Sequence, residues 1–141
     1  MGAVVLALAA TVVFVSGRAA NAAPSPQALL RVRLLTVVSM FGTLVAIFAS
    51  DIVWRQQLLA ADAAAAAARV PVAFILRAAL REGAALLGAA TALIAASCGA
   101  LGAFPVYWVD LAPAAMFAAF LLSHWPSEAR LKAEVESALG G

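Results

Sequence analysis

Apolar residues fall along this chain in long blocks separated by short polar breaks, without the strict alternation that marks half-buried strands. The first block runs from Ala3 to about Ser16 and is closed by Gly17 and Arg18. The second covers Leu34 to Trp54, with Asp51 near its end and Arg55 just outside. The third begins near Pro71 and continues to about Cys98, and the fourth spans Val106 to Leu122, with Pro105 before it and Pro113 within. A membrane-spanning helix needs about 20 apolar residues, within a range of about 17–25. The second block meets that length. The third exceeds it, which puts its first turns, carrying Arg77 and Arg81, at headgroup level or inside a bundle. A spanning backbone must satisfy its own hydrogen bonds, so each block is a helix or part of a closed barrel, and the Ala- and Leu-rich pattern selects helices. The expected fold is therefore all-α and polytopic. Four transmembrane helices (3–16, 34–54, 71–98 and 106–122) form one domain over residues 1–125, followed by a tail over 126–141.

The breaks refine this outline. Ala20-Asn21-Ala22 and Ala23-Pro24 look like a small-residue cleavage site after a short apolar stretch, yet only Met1-Gly2 precedes the block, with no basic residue. A retained first helix is preferred, with a cleaved signal over residues 1–23 as the rival. Pro24-Ser25-Pro26 cannot continue a helix, so residues 21–27 read as a loop. The connection from Gln56 to Arg69 contains Asp62 followed by six alanines. Alanine is the best helix former, which predicts a helical extension of the second span, broken at Val70-Pro71, with Pro71 opening the third helix. In the tail, Ser127 suits an N-cap and Gly140 a C-terminal stop. Leu131, Val135 and Leu139 share one face, giving a short amphipathic helix.

Composition makes the bilayer the natural solvent. Of 141 residues, 66% are hydrophobic and 11% charged, against about 45–50% and about 25% in soluble domains. A soluble domain of this size keeps too much surface in water to bury so much apolar area. Nine basic and seven acidic groups give a net charge of +2, too weak a bias for nucleic-acid binding. One cysteine, Cys98, excludes an internal disulfide and reads as a small packing residue. The single histidine, His124, has no second ligand at metal-binding spacing, so neither a metal nor a cofactor is expected. No phosphate loop, nucleophile triad or dinucleotide turn occurs, and the chain is not expected to be an enzyme.

Aromatic and cationic residues mark the expected interfaces: Trp54 and Arg55 at the end of the second span, Tyr107 and Trp108 at the start of the fourth, and His124 and Trp125 at its end. Arg and Lys nearly balance between the two sides, with a lean to both termini cytoplasmic. Gly83, Gly88, Gly99 and Gly102 offer small-residue surfaces for close helix approach. Asp110 reads as an acid in the first turn of the fourth helix, favourable to the helix dipole.

The charges inside the apolar blocks are the candidate site. A carboxylate within an apolar segment is costly and marks function or pairing. Glu82 heads the charge-free run from Gly83 to Val109, beside Arg81 and Arg77. In an antiparallel hairpin pivoting over residues 62–70, Asp51 comes level with about Arg81. Asp51, Arg77, Arg81 and Glu82 therefore form one expected charge cluster, read as ion pairs that hold the helices in register. The rival reading makes Glu82 a group that binds and releases a proton or cation. Ala79-Leu80-x-Glu82-x-x-Ala85-Leu86-x-Gly88 resembles the carboxylate-bearing helix of ATP synthase rotor-ring c subunits, which implies an ion-carrier role for Glu82. The second span here has one glycine, Gly42, where that family has a run of them. The whole-chain pattern, with Trp125-Pro126-Ser127-Glu128 after the last span, is similar to small four-helix bacterial membrane proteins, a resemblance that implies a fold and no activity. The expected function is a structural or accessory subunit of the bacterial inner membrane. Its partners would be the lipid bilayer and other membrane subunits or copies of itself. Proton or cation translocation through Glu82 is the alternative.

Overall fold

The computed structural model describes residues 3–19, 23–59 and 63–124, with Ser127, Ala129 and Ala133 beyond them. Five α-helices, α1 (Ala3–Ala19), α2 (Pro26–Leu59), α3 (Ala63–Ser97), α4 (Ala100–Ala103) and α5 (Ala112–Ser123), are joined between α4 and α5 by a 3-10 segment, Pro105–Leu111. No strand occurs among the described residues. Asp62, Trp125 and most of the 126–141 tail lie outside the description.

The central element is α3, against which α1, α2 and α5 all pack. Its composition explains this position. Ala73, Ala78, Ala84, Ala85, Ala89, Ala92, Ala95 and Ala96 are all buried, and small side chains let several backbones approach one helix closely. Two apolar clusters cap the assembly. One joins Val12 of α1, Val32 of α2, Ala92, Ala95 and Ala96 of α3, and Leu101 and Tyr107. The other joins Val5 of α1, Ala78 and Ala85 of α3, and Ala114, Phe117 and Phe120 of α5. Successive long helices therefore run in alternating directions between the two clusters.

Several boundaries differ from the sequence expectation, each for a local reason. Helix α2 starts at Pro26, eight residues before the second apolar block, because Ser25 caps it. Ser25 Oγ accepts from Ala28 N–H at 3.2 Å, and Pro26 suits the first turn, where its missing N–H leaves no orphan. The alanine run belongs to α3 rather than to α2, and α3 continues through Pro71 instead of breaking there. Pro71 is exposed while its neighbours Val70 and Ala73 are buried. Its ring therefore faces outward, and packing of the opposite face holds the helix together across the lost hydrogen bond.

The fourth block is not one α-helix. Pro113 has no N–H to donate to Val109, so Val109 O is met by Ala112 N–H in a 3-10 turn, and α5 begins there with Pro113 in its first turn. At the end of α3, Gly99 adopts φ 76°. This left-handed position terminates the helix, and glycine takes it without the Cβ penalty.

Two segments are long and apolar enough to cross a membrane, Pro26–Gln57 and Pro105–Ser123, while α1 is apolar but shorter. Helix α3 carries Arg69, Arg77, Arg81 and Glu82 along its length.

Candidate functional site: charges inside the helical assembly

The α2–α3 hairpin brings Asp51 against two arginines one helical turn apart. Arg77 donates to Asp51 Oδ1 from Nε at 3.2 Å and from Nη2 at 2.9 Å. Arg81 Nη2 donates to the same oxygen at 3.0 Å, and its Nε donates to Ser50 Oγ at 3.1 Å. Ser50 in turn donates to Ile47 O at 2.7 Å. Spacing of four residues puts Arg77 and Arg81 on one face of α3, so one carboxylate serves both. The arginine side chains are 15% and 17% exposed, whereas Asp51 is 44% exposed. The cluster is thus dry on the α3 side and reaches the surface on the α2 side.

Aromatic rings close it. The Arg77 guanidinium lies 5.4 Å from the Trp54 ring centre and 5.4 Å from that of Phe120. The Arg81 guanidinium lies 4.4 Å over Phe120, within the range of cation–π attraction. Phe120 also stacks on His124 at 4.9 Å. The Phe120 ring brings α5 to an ion cluster otherwise built by α2 and α3. Trp54 and His124, expected as interface anchors, are therefore parts of this cluster or its aromatic cover, while Arg55 is exposed.

Glu82 occupies a different face. Sequence neighbours on a helix are about 100° apart, so Glu82 does not share the direction of Arg81. It is half-buried on the stripe of Ala78 and Ala85, which packs toward Val5 of α1 and Phe117 and Phe120 of α5.

The other end of the assembly holds an acid whose setting differs from the sequence expectation. Asp110 is fully buried, not at a solvated helix start. Thr36 Oγ1 of α2 donates to Asp110 Oδ2 at 2.9 Å. Tyr107, expected in an aromatic belt with Trp108, is buried in the core beside Phe104, while Trp108 is 40% exposed. The cause is the 3-10 segment. With three residues per turn, Tyr107 and Asp110 align on one inward face.

Gly88 makes this approach possible. A Cβ there would lie 2.6 Å from Asp110 O and 2.9 Å from Pro113 Cγ, distances no side chain tolerates without a shift. Gly83 has nothing within 4 Å and plays no such part. Between the two ends, Thr36, Ser39, Thr43 and Ser50 line the inner face of α2, a seam of hydroxyls about 21 Å long at 1.5 Å per residue. Heptad spacing of these small polar residues, opposite the Ala- and Gly-rich face of α3, is the signal in the sequence that locates the interior.

Among the described residues no group of three or more His, Cys, Asp or Glu side chains is placed to hold a metal ion. The sequence matches no protein-family model, and no curated protein or solved structure matches it either.

Proposed function

We propose that this chain is an integral protein of the bacterial inner membrane that crosses the bilayer four times, through α1, α2, α3 and the 3-10–α5 unit. In this reading it is a structural or accessory subunit of a larger membrane assembly. The observation that carries the proposal is the surface of α2. Only 17% of its most apolar window is buried inside the protein, whereas the core helix of a soluble domain would be mostly enclosed. Leu34, Val38, Phe41, Val45, Phe48 and Ile52 are all 49–68% exposed. Their spacing of four and three residues draws one outward apolar stripe, which water would not support on this scale. Acyl chains or a neighbouring transmembrane helix would cover it, and the alternating heptad spacing suits a helix.

The ionic cluster supports a holding role over a transport role. Arg77 and Arg81 both donate to Asp51, Phe120 lies against both guanidinium groups and Trp54 against that of Arg77, which ties three helices at one end. Native mass spectrometry of the chain released from its own membranes in a mild detergent tests the reading. A stoichiometric complex, with further copies or with other subunits, is expected, and a clean monomer contradicts it. Ion carriage by Glu82 is the competing reading, favoured by its half-buried position on the α1- and α5-facing side of α3.

A further inference from the structure

We propose that Arg31 and Arg33, near the start of α2, bind the phosphate of an anionic glycerophospholipid whose acyl chains lie along the outward stripe of that helix. The inference rests on the membrane reading of α2 and names a lipid class for it. Charge is left uncompensated at this end of the protein. Residues 1–50 hold three arginines, Arg18, Arg31 and Arg33, and no Asp or Glu. Arg31 and Arg33 are both exposed. Among the described residues neither side chain makes an ion pair, a hydrogen bond or a ring contact. The acid that the 3-10 segment brings to α2, Asp110, is 0% exposed and accepts from Thr36. The arginines of the opposite end differ. Arg77 and Arg81 donate to Asp51 and Ser50, and Arg55 has the partly exposed Asp51 one turn before it on the same helix.

The two cations also stand in the right place for a lipid. Val32, between them, is 1% exposed and fixes the inward direction of α2. At about 100° per residue, Arg31 and Arg33 emerge on either side of it, each about 60° from the exposed Leu30 and Leu34. They therefore flank the head of the outward apolar stripe, which continues through Val37, Val38 and Phe41. Arg33 and Arg55 lie about 33 Å apart along α2 at 1.5 Å per residue, close to the hydrocarbon thickness of about 30 Å. Chains on the stripe would thus bring their headgroups to the level of Arg31 and Arg33.

Charge complementarity selects the occupant. A guanidinium fork matches phosphate oxygens and donates charge-assisted hydrogen bonds to them. A second copy of the chain, inserted the same way round, would set Arg31 and Arg33 against their own counterparts, a like-charge contact that disfavours it. A zwitterionic lipid carries a cation of its own and leaves both arginines uncompensated. Arginines that merely snorkel to water would show no preference among lipids, so lipid preference separates a binding site from simple anchoring.

The test titrates the whole protein in mild detergent with phosphatidylglycerol or with phosphatidylcholine of the same chain length, and reads bound lipid by native mass spectrometry. Phosphatidylglycerol is expected to bind more tightly, by about fivefold for each arginine and so about 25-fold. The double variant Arg31→Gln/Arg33→Gln should lose this preference. Arg31→Lys/Arg33→Lys should keep most of it, and Arg55→Gln should leave it unchanged. Equal binding of the two lipids by the wild type overturns the proposal, as does a preference that survives in the double Gln variant. Displacement of phosphatidylglycerol by an equal concentration of glycerol 3-phosphate overturns it too, since the site would then recognise free phosphate. A dimer that excludes phosphatidylglycerol would give the face to a second copy instead. Release of the protein from its membranes by alkaline carbonate would defeat the membrane reading itself. A protein that stays in the membrane without a lipid preference defeats the lipid site alone.

Discussion

Replacing Asp51 with alanine removes the one acceptor that two arginines share. Arg77 and Arg81 would then face each other across one helical turn, with side chains 15% and 17% exposed. Breaking a fully buried pair from one side costs about 3–5 kcal/mol. Asp51 itself is 44% exposed, so water re-solvates part of the arginine edge. The cation–π contacts to Phe120 and Trp54 survive as well, each about 0.5–1 kcal/mol or more. A loss of about 2 kcal/mol is therefore expected, between the value for surface pairs and that for buried ones. Unfolding in mixed detergent micelles, followed by far-ultraviolet circular dichroism, reads it. Asp51→Asn keeps an acceptor without the charge and should lose about half as much, as neutral hydrogen bonds are about half as strong. Raised salt should narrow the gap between the wild type and Asp51→Ala, because the open side of the cluster is screened. A loss below about 0.5 kcal/mol, the scatter of ordinary surface substitutions, would refute the reasoning. The rings alone would then be holding α3 to α2.

Three further outcomes follow from the structure. Gly88→Ala drives a methyl to within 2.6 Å of Asp110 O and should destabilise by about 1–3 kcal/mol, as overpacking does. Gly83→Ala meets nothing within 4 Å and should stabilise by about 0.5–1 kcal/mol through helix propensity; equal effects at both sites in the same unfolding assay would contradict the placement of the 3-10 segment. Glu82→Gln should leave both assembly and proton flux in reconstituted vesicles unchanged, and a loss of flux would favour the carrier reading instead.

What the sequence disclosed follows the physics of each feature. Helical class came directly from block length and composition, and the level of Asp51 with Arg81 came from hairpin arithmetic that needs only a pivot near residue 66. Boundaries were harder because proline has two effects of opposite sign. Pro71 was expected to open a helix, yet one-sided burial at Val70 and Ala73 lets α3 continue through it. Pro113, inside an apparently continuous block, divides a 3-10 segment from α5. That division rotates Tyr107 and Asp110 inward, which hydropathy cannot register because it has no direction. Glu82 was expected in one cluster with Asp51, Arg77 and Arg81; its sequence position next to Arg81 does not by itself fix its direction, because adjacent residues on a helix point about 100° apart. The opposite case is Asp110. Its setting could have been found by noting that Thr36, Ser39, Thr43 and Ser50 fall on one stripe of α2, giving a polar interior that an acid from another helix could meet.

The four-crossing arrangement is tested most directly by which face of the membrane each helix connection occupies. With Cys98→Ser as background, single cysteines are introduced at Pro24, Gln56, Phe104 and Ser127 and labelled in sealed vesicles with a membrane-impermeant maleimide. Helix direction alternates between the two apolar clusters, so Pro24→Cys and Phe104→Cys should react from one side, and Gln56→Cys and Ser127→Cys only from the other. Labelling of all four from the same side, or release of the protein from the vesicles by alkaline carbonate, would contradict it.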